Sequence, residues 1–116
     1  MELSSADTNP SRYNQDREGL FEFRGRVDGV VVLRIRGDRV YAEVRSGAPI
    51  KVERFSFSQP LPAAPFREIK VEQKDGRGEV RLLETPSSAN DNTATVQISD
   101  PRGGDDRYHF QLKWRR

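Results

Sequence analysis

From residue 19 onward, apolar and polar side chains alternate. Phe21, Phe23, Gly25 and Val27 are interleaved with Glu22, Arg24, Arg26 and Asp28. Side chains point to opposite faces along a strand, so the first set is predicted to line a core and the second to face water. The pattern returns with Val31, Leu33 and Ile35, with Val40, Ala42 and Val44, and with Phe55 and Phe57. It continues through Ile69 and Val71, Val80 and Leu82, and Ala94, Val96 and Ile98, and is clearest in Tyr108, Phe110, Leu112 and Trp114. Turn chemistry separates these runs. Asp28-Gly29 is a hairpin signal, Ser46-Gly47-Ala48-Pro49 a turn, and Lys74-Asp75-Gly76-Arg77-Gly78 a second hairpin. The stretch from Gln59 to Pro65 is a Pro-rich crossing long enough to pass between sheets, and 86–92 and 100–106 are longer loops.

No window carries a helical period over three turns, and no repeat of fixed length is present. The expected fold is therefore all-β: an antiparallel β-sandwich of about 7–8 strands, with a small closed β-barrel as the alternative. The core is predicted to hold Phe21, Phe23, Val31, Leu33, Ile35, Val44, Phe55, Phe57, Ile69, Val71, Val96, Ile98, Phe110, Leu112 and Trp114.

Arg36-Gly37-Asp38 spells a known adhesion tripeptide, but it stands where the chain must reverse between two alternating runs. Glycine supplies a positive φ and aspartate tolerates one, so a tight turn selects this pair without any adhesive role.

Residues 1–18 carry almost no apolar side chains and read as a polar leader, extended or disordered, that precedes one domain at 19–116. Met1-Glu2-Leu3-Ser4-Ser5 has neither the basic start nor the apolar core of a signal peptide. The chain has 116 residues, with 20 basic and 18 acidic side chains, so the net charge is nearly balanced. Arginine far outnumbers lysine, which favours bidentate contact with carboxylates or phosphates. The absence of cysteine removes disulfides, thiolate metal sites and cysteine nucleophiles.

Candidate chemistry is sparse. His109 is the one histidine and lies on the predicted wet face of the last strand, away from the setting a Ser-His-Asp relay needs. Asp91 with Asn90 and Asn92, and Asp100 with Asp105 and Asp106, are acidic loops with oxygen ligands of the kind calcium takes; no other cofactor is expected. Arg24, Arg26, Arg34 and Arg36 have outward parity on adjacent strands and are the candidate polyanion-binding set, with Arg45 or Arg54 as extensions. Glu22, Asp28, Glu43 and Glu53 are interleaved, so cross-strand ion pairs are the competing use. Among the outward positions, Tyr41 alone offers an aromatic ring for stacking bases, which disfavours nucleic acid.

The segments Phe23-Arg24-Gly25-Arg26-Val27-Asp28-Gly29 and Phe55-Ser56-Phe57-Ser58-Gln59-Pro60-Leu61-Pro62, with Thr93 to Asp100 and the closing Tyr108 to Trp114, resemble uncharacterised bacterial β-sandwich domains of immunoglobulin-like type. The resemblance implies a non-catalytic module of a kind often found outside the cytoplasm and carries over no functional residue; the expected role is structural or protein-interaction, at the cell surface or in the periplasm. The antibody-type Cys…Trp…Cys core is absent. Expected partners are a protein or a second copy of the chain, with a glycan or other polyanion on the Arg-rich face as the alternative; no membrane insertion is expected.

Overall fold

The computed structural model describes residues 1–3, 18–101 and 106–116. The chain is all-β. Its strands are β1 (Glu2–Leu3), β2 (Glu18–Arg36), β3 (Arg39–Phe57), β4 (Glu68–Asp75), β5 (Glu79–Glu84), β6 (Ala94–Ser99) and β7 (Asp106–Arg115), with one 3₁₀ turn at Ser88–Asn90. They form one seven-stranded antiparallel sheet in the order β1-β3-β2-β6-β5, with β7 pairing both β2 and β4.

Four of the predicted strands turn out to be two. β2 and β3 form a single long hairpin, in register from Phe21 opposite Phe57 to Arg36 opposite Arg39. Its reversal is Gly37-Asp38, with Gly37 at φ +59°, so the tripeptide of 36–38 sits in a turn as expected. Asp28-Gly29 and Ser46-Gly47-Ala48-Pro49 are not reversals. They face each other across the hairpin, Asp28 opposite Ala48 and Gly29 opposite Gly47. Lys74 to Gly78 does not close a hairpin either, because β4 pairs with β7 and β5 pairs with β6.

The common reason is a crease. β2 pairs with β7 from Glu18 to Val27 and with β6 from Val30 to Ile35, so it changes partner at Asp28-Gly29. β6 and β7 run in the same direction, end to end along one edge of β2, and β4 and β5 lie end to end beyond them. The sheet thus consists of four long arms: β2 and β3 run through the crease unbroken, with Asp28-Gly29 opposite Gly47-Ala48, while β4 ends and β5 begins at the same level, as do β6 and β7. Gly29 and Gly47 have φ of +95° and +89°, and a Cβ on Gly47 would stand 1.9 Å from the Asp28 carbonyl oxygen. Glycine is required there because the two backbones cross at close range with positive φ. Three β-bulges between Arg24 and Val31 each insert one extra residue into β3. Bulges bend the bulged strand and increase its twist, so β3 follows the outside of the curve.

Folded at the crease, the inner faces of the two halves meet in one core. Phe21, Phe23, Phe55, Phe57, Phe110, Leu112 and Trp114 come from one half. Val31, Leu33, Ile35, Val40, Val80, Val96 and Ile98 come from the other. Phe21 packs on Phe57 at 4.7 Å between ring centroids and Phe23 on Phe110 at 5.4 Å, spacings at which aromatic pairs attract. The two layers are consistent with a β-sandwich; the alternative of a closed barrel is not adopted. The Pro-rich segment spans the open end opposite the crease, as a crossing. Ser58 exchanges hydrogen bonds with Leu20, and the Leu61 amide donates to the Gly37 carbonyl. Leu61 is buried in the core between those attachments.

The predicted core residues are buried except three. Ile69 and Val71 are half-buried against the cluster. Val44 is 38% exposed although it stands opposite fully buried Val31, because it lies on the outermost strand where no second layer covers it. Of the predicted leader, Glu2 and Leu3 pair with Tyr41 and Val40, and 4–17, Tyr13 among them, lie outside the described residues.

Candidate polyanion-binding face

The crease separates the four arginines that the sequence groups together. Arg24 and Arg26 lie on the half where β2 pairs with β7; Arg34 and Arg36 lie on the half where it pairs with β6. Ten residues of β2, at most about 33 Å of extended chain, part Arg24 from Arg34. Arg34 and Arg36 are committed to neighbours. Arg34 donates to Glu43 at 2.8 Å, which holds the Glu43 carboxyl below the usual carboxylate range, with Arg45 adding its charge. Arg36 pairs with Asp91.

Arg24 and Arg26 acquire other companions. Arg24 is opposite Arg54 on β3 and His109 on β7, and Arg26 is opposite Lys51 and Arg107. Residues directly opposite in a sheet share a face, and the flanking Phe23, Val27, Tyr108 and Phe110 are buried on the other side. The outer face of this half therefore carries two adjacent rows, Arg54–Arg24–His109 and Lys51–Arg26–Arg107. The rows are about 7 Å apart, with neighbouring columns about 5 Å apart. Arg54 was legible as an extension; Lys51, Arg107 and His109 were not, because only the register of β3 and β7 against β2 brings them to the same face.

Below these rows lies a third, in which Ser56 and Gln111 flank Glu22. Glu22 Oε2 accepts from His109 Nε2 at 2.7 Å and Gln111 Nε2 at 2.9 Å. Partial burial works against the ionised form of Glu22, but the hydrogen bonds from Gln111 and His109 outweigh it, and the carboxyl sits below its usual range. His109 is thus half-buried and paired, not an open surface residue as its parity suggests. The arrangement puts Glu22 between Ser56 and His109, whereas a nucleophilic relay needs the imidazole between hydroxyl and carboxylate. Further along, Glu72 accepts from Lys74 and Lys113, and these two ammonium groups hold its carboxyl down to about 2. At the end of this face, Glu18, Leu20, Glu68, Lys70, Lys113 and Arg115 border a shallow groove of about 230 Å³.

The calcium-type loops are tied up by the protein itself. Asn90 Oδ1 accepts from the Ser87 and Thr93 amides, Asn92 Oδ1 accepts from the Ala64 amide, and Asp91 holds Arg36. Asp100 is buried at the other end of β6, and Asp105 lies outside the described residues. Among the described residues no three His, Asp or Glu side chains converge to hold a metal ion, and no helix is long and apolar enough to cross a membrane. Compared with known proteins, the chain matches no family model, no curated protein and no solved structure.

Proposed function

We propose that this chain is a non-catalytic binding module that docks an anionic polymer, of the sulfated or uronic glycan class, on the outer face of the β3-β2-β7 half-sheet. The observation that carries this reading is the pair of basic rows, which bring five arginine and lysine side chains, Arg24, Arg26, Lys51, Arg54 and Arg107, together on three adjacent strands. An array of positive charge spread over three adjacent strands suits a ligand whose own charges repeat, and arginine engages sulfates and carboxylates bidentately. The outward positions of these rows carry no Phe, Tyr or Trp, the rings that bind unpaired bases by stacking, so a glycan is favoured over single-stranded nucleic acid.

The test is binding to a sulfated glycan by titration calorimetry at two salt concentrations. A combined Arg24→Ser, Arg26→Ser, Arg54→Ser and Arg107→Ser variant is expected to bind at least about tenfold more weakly, taking some tenths of a kcal/mol or more per exposed contact. Arg34→Ser with Arg36→Ser, on the other half, is expected to leave binding unchanged. Equal binding by the wild type and the fourfold variant, with both folded by circular dichroism, refutes the reading, and preference for single-stranded nucleic acid replaces the ligand class.

A protein-contact role is the second reading. It is favoured by the outer edge of β3 from 43 to 57, which pairs with no described residue. It ranks second because Pro49, Glu43, Arg45, Lys51 and Glu53 along that edge are the devices that blunt edge pairing.

A further inference from the structure

Asp100 closes β6 at the crease and is only 5% exposed. Its amide donates to the Gly29 carbonyl at 2.7 Å. Its Oδ1 accepts from the Tyr108 hydroxyl at 2.8 Å, and that hydroxyl in turn accepts from the Gly78 amide at 2.8 Å. Through its amide Asp100 thus ties the end of β6 to Gly29 of β2, and through its carboxyl and the Tyr108 phenol it ties it to Gly78 before β5. The other oxygen, Oδ2, is buried with no hydrogen-bond donor from the described residues. An unpartnered buried carboxylate oxygen is costly, and the groups around it make ionisation worse. Asp106 on β7 faces Asp100 at hydrogen-bonding reach, and Asp28 on β2 adds a further negative charge. From the 76–78 segment only the Gly78 backbone takes part, through Tyr108, and Arg102 and Asp105 lie outside the described residues.

We infer that Asp100 keeps its proton in the folded protein, and that this proton makes the crease a latch that is tight in acid and loosens as pH rises. A buried carboxyl beside a second carboxyl does not ionise readily, and a retained proton turns the unpartnered Oδ2 into a donor facing Asp106. Burial pushes the Asp100 carboxyl above its usual range, and Asp106 and Asp28 push the same way against the Tyr108 hydrogen bond. A carboxyl raised on folding stabilises the fold fully below its ordinary unfolded value. That contribution is lost as pH rises through the folded value. The direction is opposite to that of Glu22, Glu43 and Glu72, which are held below their usual range and whose contributions fade in acid.

The experiment compares thermal midpoints of the wild type, Asp100→Asn and Asp106→Asn from pH 4 to 8. An amide at 100 keeps the acceptor for Tyr108 and offers Asp106 a donor without a titrating proton. Asp100→Asn is expected to raise the midpoint by a few degrees at neutral pH, and the difference from the wild type is expected to shrink towards pH 4. Carbon-13 NMR of the wild-type Asp100 carboxyl decides the matter even where the variant does not fold. Titration above the ordinary aspartate value of about 3.9 supports the latch. Titration at or below it, or a pH-independent difference between the wild type and Asp100→Asn, overturns it.

Discussion

At the scale of single residues, the crease depends on what glycine and Tyr108 do there. Gly47→Ala places a methyl group against the Asp28 carbonyl at a positive φ, and no side chain is present to yield. Strain of this kind costs about 1–3 kcal/mol before any clash is counted. Denaturant unfolding is expected to show a loss of at least about 2 kcal/mol for Gly47→Ala. Tyr108→Phe keeps the buried ring but withdraws the hydroxyl that receives the Gly78 amide and donates to Asp100. The stranded groups predict a loss of about 1–3 kcal/mol, read from the same unfolding curves. Burial and the Asp100 hydrogen bond push the Tyr108 phenol up to about 12, so it remains protonated and a donor at neutral pH. Its own contribution declines only as pH climbs from the ordinary tyrosine value of about 10 towards that figure.

At the scale of elements, alternation was a faithful guide to which side chains face inward, and punctuation was a poor guide to where the chain reverses. Phe21, Phe23, Leu33, Val96, Phe110 and Leu112 are buried as their parity requires, because a strand has only two faces and one is wet. Asp28-Gly29 and Ser46-Gly47 misled because a close backbone crossing selects the same residues as a tight turn, namely those free to take positive φ. Only the register distinguishes the two cases, and register depends on residues far away in sequence. The same blindness hid half of the cationic face. Arg24 and Arg26 were visible as a pair two residues apart, but Arg107 and His109 join them only through the pairing of β2 with β7. Val44 failed for a third reason: parity gives the face, while cover depends on what lies above it.

At the scale of the whole molecule, the fold sorts a nearly neutral chain into two unlike outer faces. One is largely neutralised by Arg34–Glu43, Arg36–Asp91, Arg39–Glu2 and Arg81–Glu79 pairs. The other brings basic residues together in rows, with Glu22 and Glu72 paired beside them, so charge is less evenly spread than the small net charge suggests. The long hairpin at the centre of this arrangement also dictates an order of events. β2 meets β3 through a turn at Gly37-Asp38, but Glu22 reaches its bond with His109 only across 87 residues of chain. Local closure is cheap in entropy and distant closure is not, so the hairpin is expected to form early and β7 to add late. Gly37→Ala should slow refolding, whereas trimming Trp114 on β7 should mainly speed unfolding, as stopped-flow chevrons would show. On the ribosome the consequence is sharper. The strand that ends up in the middle of the sheet is complete while its second neighbour is still unmade, so the nascent hairpin spends that interval with an open, apolar-lined edge, the state in which this protein is most exposed to aggregation or to a chaperone's grip.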